Sequence, residues 1–111
     1  MKKIINKPWG QECWVTHENG RYAGKLIGVD AGKRLSKQYH EKKHETLYLL
    51  YGKAEVELDN NKLIKMNPKD VLEIKPKQIH RIKAIDTCVF IEFSSPELED
   101  IVRIEDDYGR C

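Results

Sequence analysis

The chain has 111 residues, 20 of them basic and 18 acidic, for a net charge of +2. That length makes one domain, residues 1–111, with one real core and no room for a second module. The near-balanced charge gives no electrostatic case for nucleic acid or a membrane surface as partner. Cys13, Cys88 and Cys111 are odd in number and far apart, so neither a disulfide framework nor a zinc knuckle is expected. MKKIINKPWG has no apolar core of a signal peptide, and no run approaches a membrane span, so a cytoplasmic setting is expected.

In chain order, Arg21 to Val29 reads as an apolar strand with Lys25 in its middle, closed by a turn at Asp30-Ala31-Gly32-Lys33. Leu35 to His40 is short and mixed. Thr46 to Tyr51 is aromatic and aliphatic and stops at Gly52-Lys53. Ala54 to Leu58 alternates apolar and charged, as a half-buried strand does. Asp59-Asn60-Asn61 is a hairpin turn leading into Lys62 to Met66. Val71 to Ile74, His80 to Ala84 and Cys88 to Phe93 complete the series, with turns at Asn67-Pro68-Lys69-Asp70, Pro76-Lys77-Gln78 and Asp86-Thr87. Seven or eight short strands at this spacing predict an all-β sandwich or barrel. The one helix expected is short, from Pro96 to Ile101.

His40-Glu41-Lys42-Lys43-His44 fits the H-E-x-x-H pattern of zinc proteases. That chemistry needs the two His one turn apart on a long helix. Thr46, Tyr48 and Tyr51 favour a strand instead. Read as strand, turn, strand, the segment puts Gln38 and His40 on one face and Glu45, Leu47 and Leu49 on one face of the returning strand. Gln38, His40 and Glu45 then converge at one barrel end, and His80 is the candidate to join them from a distant strand. His44 is read as a turn residue, Trp9 as packing, and Lys42-Lys43 and Glu105-Asp106-Asp107 as solvated runs.

The spacing Gly32-(x5)-Gln38-x-His40-(x4)-Glu45-(x6)-Gly52 resembles the first cupin motif, and Pro76-Lys77-Gln78-Ile79-His80 the second. Lys7-Pro8-Trp9-Gly10, Leu35-Ser36-Lys37-Gln38 and the tail Glu99 to Arg110 resemble the cupin domain of type II phosphomannose isomerases. The resemblance covers nearly the whole chain. It implies a cupin-type jelly-roll β-barrel with Gln38, His40, Glu45 and His80 as ligands of one divalent metal ion. Such a mixed N/O set suits Zn²⁺, taken first, or Mn²⁺, Fe²⁺, Co²⁺ or Ni²⁺. Three departures bear on the substrate: Lys43 stands for the family's Arg, Thr46-Leu47 for His-Trp, and Lys77 for the Gly usual before the last His.

The implied activity is a metal-dependent sugar-phosphate isomerase of the mannose 6-phosphate/fructose 6-phosphate type. The metal would act as a Lewis acid on enediolate charge while a base moves the carbon-bound proton. Lys25, an inward lysine in the position of a family lysine, is one candidate catalytic residue, on the expectation that burial lowers its pKa. The alternative is a strand lysine whose head reaches solvent. Arg110, from the tail, is the other candidate. Arg81, Lys33 and Lys43 are expected to bind the phosphate. The domain is often fused to a sugar-nucleotide pyrophosphorylase, but the chain has no Gly-rich phosphate loop with which to make GDP-mannose by itself. Competing readings are a sugar epimerase or iron-dependent oxygenase on the same scaffold, or a sugar-binding module without turnover. Edge strands of small barrels invite pairing, so a homodimer is expected.

Overall fold

The structure is a computed structural model that describes residues 2–110. Cys111, one of the three cysteines, lies outside the described residues. Eleven strands form two antiparallel sheets: β1 Lys3–Lys7, β2 Gly10–Thr16, β3 Ala23–Val29, β4 Lys37–Tyr39, β5 Glu45–Tyr51, β6 Ala54–Leu58, β7 Leu63–Met66, β8 Val71–Ile74, β9 His80–Ala84, β10 Cys88–Ser94 and β11 Val102–Glu105. The larger sheet has the order β1-β2-β3-β10-β5-β8 and the smaller β11-β4-β9-β6-β7. This is the jelly-roll barrel expected, with more strands than the seven or eight read from the sequence. β1, β2 and β11 escaped that reading because KIINK, GQECWVT and VRIE mix polar residues into both faces.

Alternation along each strand sends one set of side chains between the sheets. On β5 the inward set is Glu45, Leu47 and Leu49; on β10 it is Cys88, Phe90, Glu92 and Ser94; on β3 it is Ala23, Lys25, Ile27 and Val29. Register aligns these sets, with Lys25 opposite Glu92, Glu92 opposite Leu47, and Phe90 opposite Ile27 and Leu49. The interior is therefore divided lengthwise. One end is the apolar core, where Val29, Leu49, Val56, Ile74, Ala84, Cys88 and Phe90 are fully buried. The other end holds Lys25, Gln38, His40, Lys43, Glu45, His80 and Glu92, all buried as well. A barrel that buries this many polar groups at one end has given up packing energy there.

Two local expectations change. The segment from Pro96 to Ile101 is not a helix but a run of turns, with Leu98 N–H donating to the Pro96 carbonyl. Among the described residues there is no α-helix, and none long and apolar enough to cross a membrane. Residues 40–44 form a bend between β4 and β5. His44 projects to the surface, its Nε2 2.6 Å from Glu73 Oε2, while His40 points inward. The helical geometry of H-E-x-x-H is absent.

Candidate metal centre

His40 follows β4 and His80 opens β9, strands paired through Gln38 and His80. His40 Nδ1 lies 2.5 Å from the Asp100 carbonyl oxygen and His80 Nδ1 lies 3.0 Å from that of Gln78. A carbonyl only accepts, so each Nδ1 carries the proton and each Nε2 keeps its lone pair. Both Nε2 atoms are buried and make no hydrogen bond. Glu45, the first residue of β5, meets them with Oε2 3.5 Å from His40 Nε2 and Oε1 4.0 Å from His80 Nε2. The ligand atoms of the three residues all lie within 4.8 Å of one another.

Two buried imidazole lone pairs without a donor are costly unless something satisfies them. Two ligands bound to one ion at about 2.1 Å each are separated by about 3–4 Å. The His40–Glu45 and His80–Glu45 contacts fall at that separation. The backbone carbonyls behind both rings are the outer partners that orient ligating histidines. His40, Glu45 and His80 thus fit a divalent cation. Gln38 is buried beside them, and its Oε1 accepts a hydrogen bond of 2.9 Å from Ser36 Oγ. A carbonyl oxygen has a second lone pair, so that contact leaves Gln38 able to serve as a fourth ligand.

A file of alternating charge leads into this cluster. Lys43 Nζ lies 3.0 Å from Glu45 Oε2 and 3.0 Å from Glu92 Oε2. Lys25 Nζ lies 3.8 Å from the same Glu92 oxygen and 3.4 Å from Glu12 Oε1, with the Trp14 ring 4.8 Å away. Burial works against the Lys43 charge, but Glu92 and Glu45 more than offset it and hold the ammonium well above the ordinary lysine range. Burial, and then the Lys43 charge, push His40 down to about 4, so its ring is neutral and able to ligate at pH 7. Glu12 is held below the usual carboxylate range: burial opposes this, but Lys25 and the Trp14 N–H outweigh it.

Asp100 fixes the bend that carries Lys43. Its carboxylate accepts backbone N–H groups from Glu41, Lys42 and Lys43 at 3.0, 2.7 and 3.0 Å, while its own carbonyl takes the His40 proton. Those N–H groups hold the Asp100 carboxyl low despite the cost of desolvating it. The turns at residues 96–101 cap the barrel mouth, where Leu98 and Ile101 line the cavity above the cluster.

The other expected site residues divide. Lys25 points inward, is buried and lines the cavity as expected, and it is a member of two ion pairs, with Glu12 and Glu92. Lys43 is buried rather than solvated, and its partners are Glu45 and Glu92. Arg110 reaches the cavity, held by Asp106 at 2.9 and 2.8 Å. The hydrogen bonds from Arg110 push Asp106 down to about 2. Arg81 and Lys33 do not reach it. Arg81 follows His80 on the strand and so faces the opposite way, donating to the Leu35 carbonyl and to Asp107. Lys33 is exposed in the turn before β4, beside Gly32 and Lys83. Glu12, Glu92, Asp100 and Arg103 are site residues that the sequence reading did not single out. The signal for Glu92 was present: in CVFIEF it shares its parity with Cys88 and Phe90.

Comparison with known proteins agrees with this architecture. A mannose-1-phosphate guanylyltransferase of Escherichia coli is 28% identical over 111 residues, covering 96% of this chain. The chain spans only 23% of that relative's length. Among solved structures, KdgF from Halomonas sp. superposes with a TM-score of 0.79 at 21% identity, covering 87% of this chain and 90% of its own. Ectoine synthase from P. lautus also gives a TM-score of 0.79, at 12% identity, covering 93% of this chain and 81% of its own. Likeness at that identity speaks to the fold. The family described as mannose-6-phosphate isomerase C-terminal matches residues 1–106, a match that the barrel and its His/Glu/His cluster accompany, and the chain belongs to that family.

Proposed function

We propose that the chain is a metal-dependent aldose–ketose isomerase acting on a sugar phosphate, of the mannose 6-phosphate/fructose 6-phosphate type. The observation that carries the reading is the pair of buried, unpartnered Nε2 atoms facing Glu45 below a cavity lined by cations. His40, Glu45 and His80, with Gln38 beside them, would hold the ion, and Zn²⁺ suits a site of two imidazoles and a carboxylate. When bound, the metal supplies a Lewis acid for the oxygens of the reacting carbons.

The chain's own residues supply the rest. Moving a proton between adjacent carbons needs a base within reach. Lys43 is held as an ammonium, and Lys25 is tied to two carboxylates. Lys25 and Glu92, 3.8 Å apart on the cavity wall, are the two groups assigned to hand the proton between the carbons. Arg110 and the turns at 96–101 close the mouth and keep bulk water from the reacting carbons. The free thiols of Cys13 and Cys88 fit a reducing, cytoplasmic setting.

The test is metal analysis of wild type and His80→Ala, each assayed for conversion of mannose 6-phosphate to fructose 6-phosphate. About one metal per chain with turnover in the wild type, both lost in His80→Ala, is the expected result. Metal without turnover rejects the isomerase and keeps the centre. A second reading, another reaction on the same scaffold, draws on Lys43 where the family has Arg. Bound iron with oxygen consumption and no isomerisation would select it.

A further inference from the structure

The row that carries His80 and Gln38 continues by one strand. Gln38 on β4 pairs with His80 on β9 and with Arg103 on β11. Cross-strand partners face the same side of a sheet. Gln38 faces inward, so Arg103 does too, and it lines the same cavity as Gln38, His40 and Arg110. Its neighbours on the strand, Val102 and Ile104, are the exposed ones.

Arg103 differs from the other arginines around the smaller sheet in having no acceptor. Arg34 and Arg81 both bind Asp107, and Arg110 binds Asp106 through two hydrogen bonds. Arg103 Nε is buried with no hydrogen bond. Glu105, the acid nearest in sequence, pairs with Lys37 and Arg81, and Asp106, which feels the Arg103 charge, has both carboxylate oxygens bonded to Arg110. A planar guanidinium kept charged, partly desolvated and unpaired beside an open cavity is a donor set for an incoming oxyanion.

The placement also has the right span. Two cross-strand steps of about 5 Å separate the His80 position from the Arg103 position, about 10 Å in all. An open-chain six-carbon sugar phosphate covers a comparable distance between its carbonyl end and its phosphorus. We propose that Arg103 binds the phosphate of the substrate, with Arg110 and Lys7 as flanking cations, while the reacting carbons lie at the His40/Glu45/His80 end. The choice of ester rests on the isomerase reading; the presence of an oxyanion subsite does not.

Zinc-loaded wild type, Arg103→Gln and Arg103→Lys are titrated calorimetrically with mannose 6-phosphate and with mannose. Losing a charge-assisted, two-pronged contact should weaken binding of the ester about 10- to 100-fold in Arg103→Gln. Affinity for mannose and zinc content should stay at wild-type values. Arg103→Lys restores charge without the planar fork and should recover part of the loss, and it carries the test should Arg103→Gln fail to fold. Where turnover is measurable, the effect should fall on KM with kcat little changed. Wild-type protein that binds the ester without converting it removes the isomerase and leaves the subsite standing. Ester binding unaffected by either substitution, a loss shared equally by ester and sugar, or a wild type that does not distinguish them overturns the proposal.

Discussion

Glu92→Gln tests whether the buried file of charge holds the site together. The substitution keeps the shape of the side chain and removes one negative charge. In the wild type that charge serves two ammoniums, Lys43 at 3.0 Å and Lys25 at 3.8 Å. All three groups are almost fully buried, so water cannot compensate. Removing one partner of a buried pair costs about 3–5 kcal/mol. Lys43 keeps Glu45 and Lys25 keeps Glu12, which puts the loss at the lower end, about 3 kcal/mol. For a domain of this size that is a fall in Tm of about 12 °C. Lys43, deprived of Glu92, should also press on Glu45 and weaken its use as a ligand. Urea denaturation of metal-free protein gives the stability, and competition with a chromophoric chelator gives zinc affinity. Lys43→Met and Glu92→Gln break the same 3.0 Å contact, so the double variant should lose less than the sum of the two single losses. A loss below about 1 kcal/mol in Glu92→Gln, or single losses that simply add in the double variant, would refute the account of the file as a coupled unit.

Other consequences follow from single residues. Asp100→Ala removes the acceptor of three backbone N–H groups at the 41–43 bend; a loss of about 2 kcal/mol with weaker zinc binding is expected, and unchanged zinc affinity would show that the bend holds Lys43 and His40 without it. Gly52 has φ +91°, and an added Cβ would meet the Thr87 carbonyl oxygen at 2.4 Å, so Gly52→Ala should cost about 3 kcal/mol by urea denaturation; a cost under 1 kcal/mol would mean that the β5–β6 turn yields. Asp106 is depressed to about 2 in the folded chain, so its bond to Arg110 contributes fully above the ordinary carboxylate range and is lost as pH falls towards 2; the Arg110 Nε–H resonance should persist at pH 4 and vanish only below it, and its absence at pH 4 contradicts the assignment. Ile4, Cys13, Leu26, Ile91, Tyr48 and Val71 form one registered apolar row across the outer face of the larger sheet. That face measures about 29 by 23 Å, about 650 Å², close to the roughly 800 Å² per partner of a stable dimer. We propose that the expected homodimer, if it forms, pairs through this face; Leu26→Lys should then give a monomer by light scattering, and a wild type that is monomeric, or a Leu26→Lys variant that stays dimeric, rejects it.

Much of the barrel was legible because its strands obey a period of two. Ala54–Leu58, Val71–Ile74 and His80–Ala84 have the bounds read from the sequence. The strand–turn–strand reading of KQYHEKKHETLYLLYG rested on the same period, and His40 and Glu45 do turn inward towards His80. The segment at 96–101 was not legible as turns, because Pro96 followed by acids reads as a helix start. What prevents the helix is tertiary: Asp100 places its carboxylate on the 41–43 backbone, a partner nearly 60 positions away.

The cationic side of the site shows where sequence pattern ends and register begins. Arg81 was chosen for standing next to His80, yet adjacency on a strand is the one relation that guarantees opposite faces. Parity alone excludes Arg81 and, applied to AGKLIGV and CVFIEFS, brings Lys25 and Glu92 inside with the apolar residues that flank them. Arg103 cannot be reached this way. VRIE has no apolar phase to reveal which side faces inward, and its place in the site depends on pairing with Gln38, more than 60 residues earlier. Lys43 belongs to neither case. It lies in a bend without periodicity, and its burial follows from Asp100 on one side and two carboxylates on the other. A lysine in such a bend reads as solvated until the acids that receive it are placed. Those acids come from β5 and β10, which become neighbours only when the larger sheet forms.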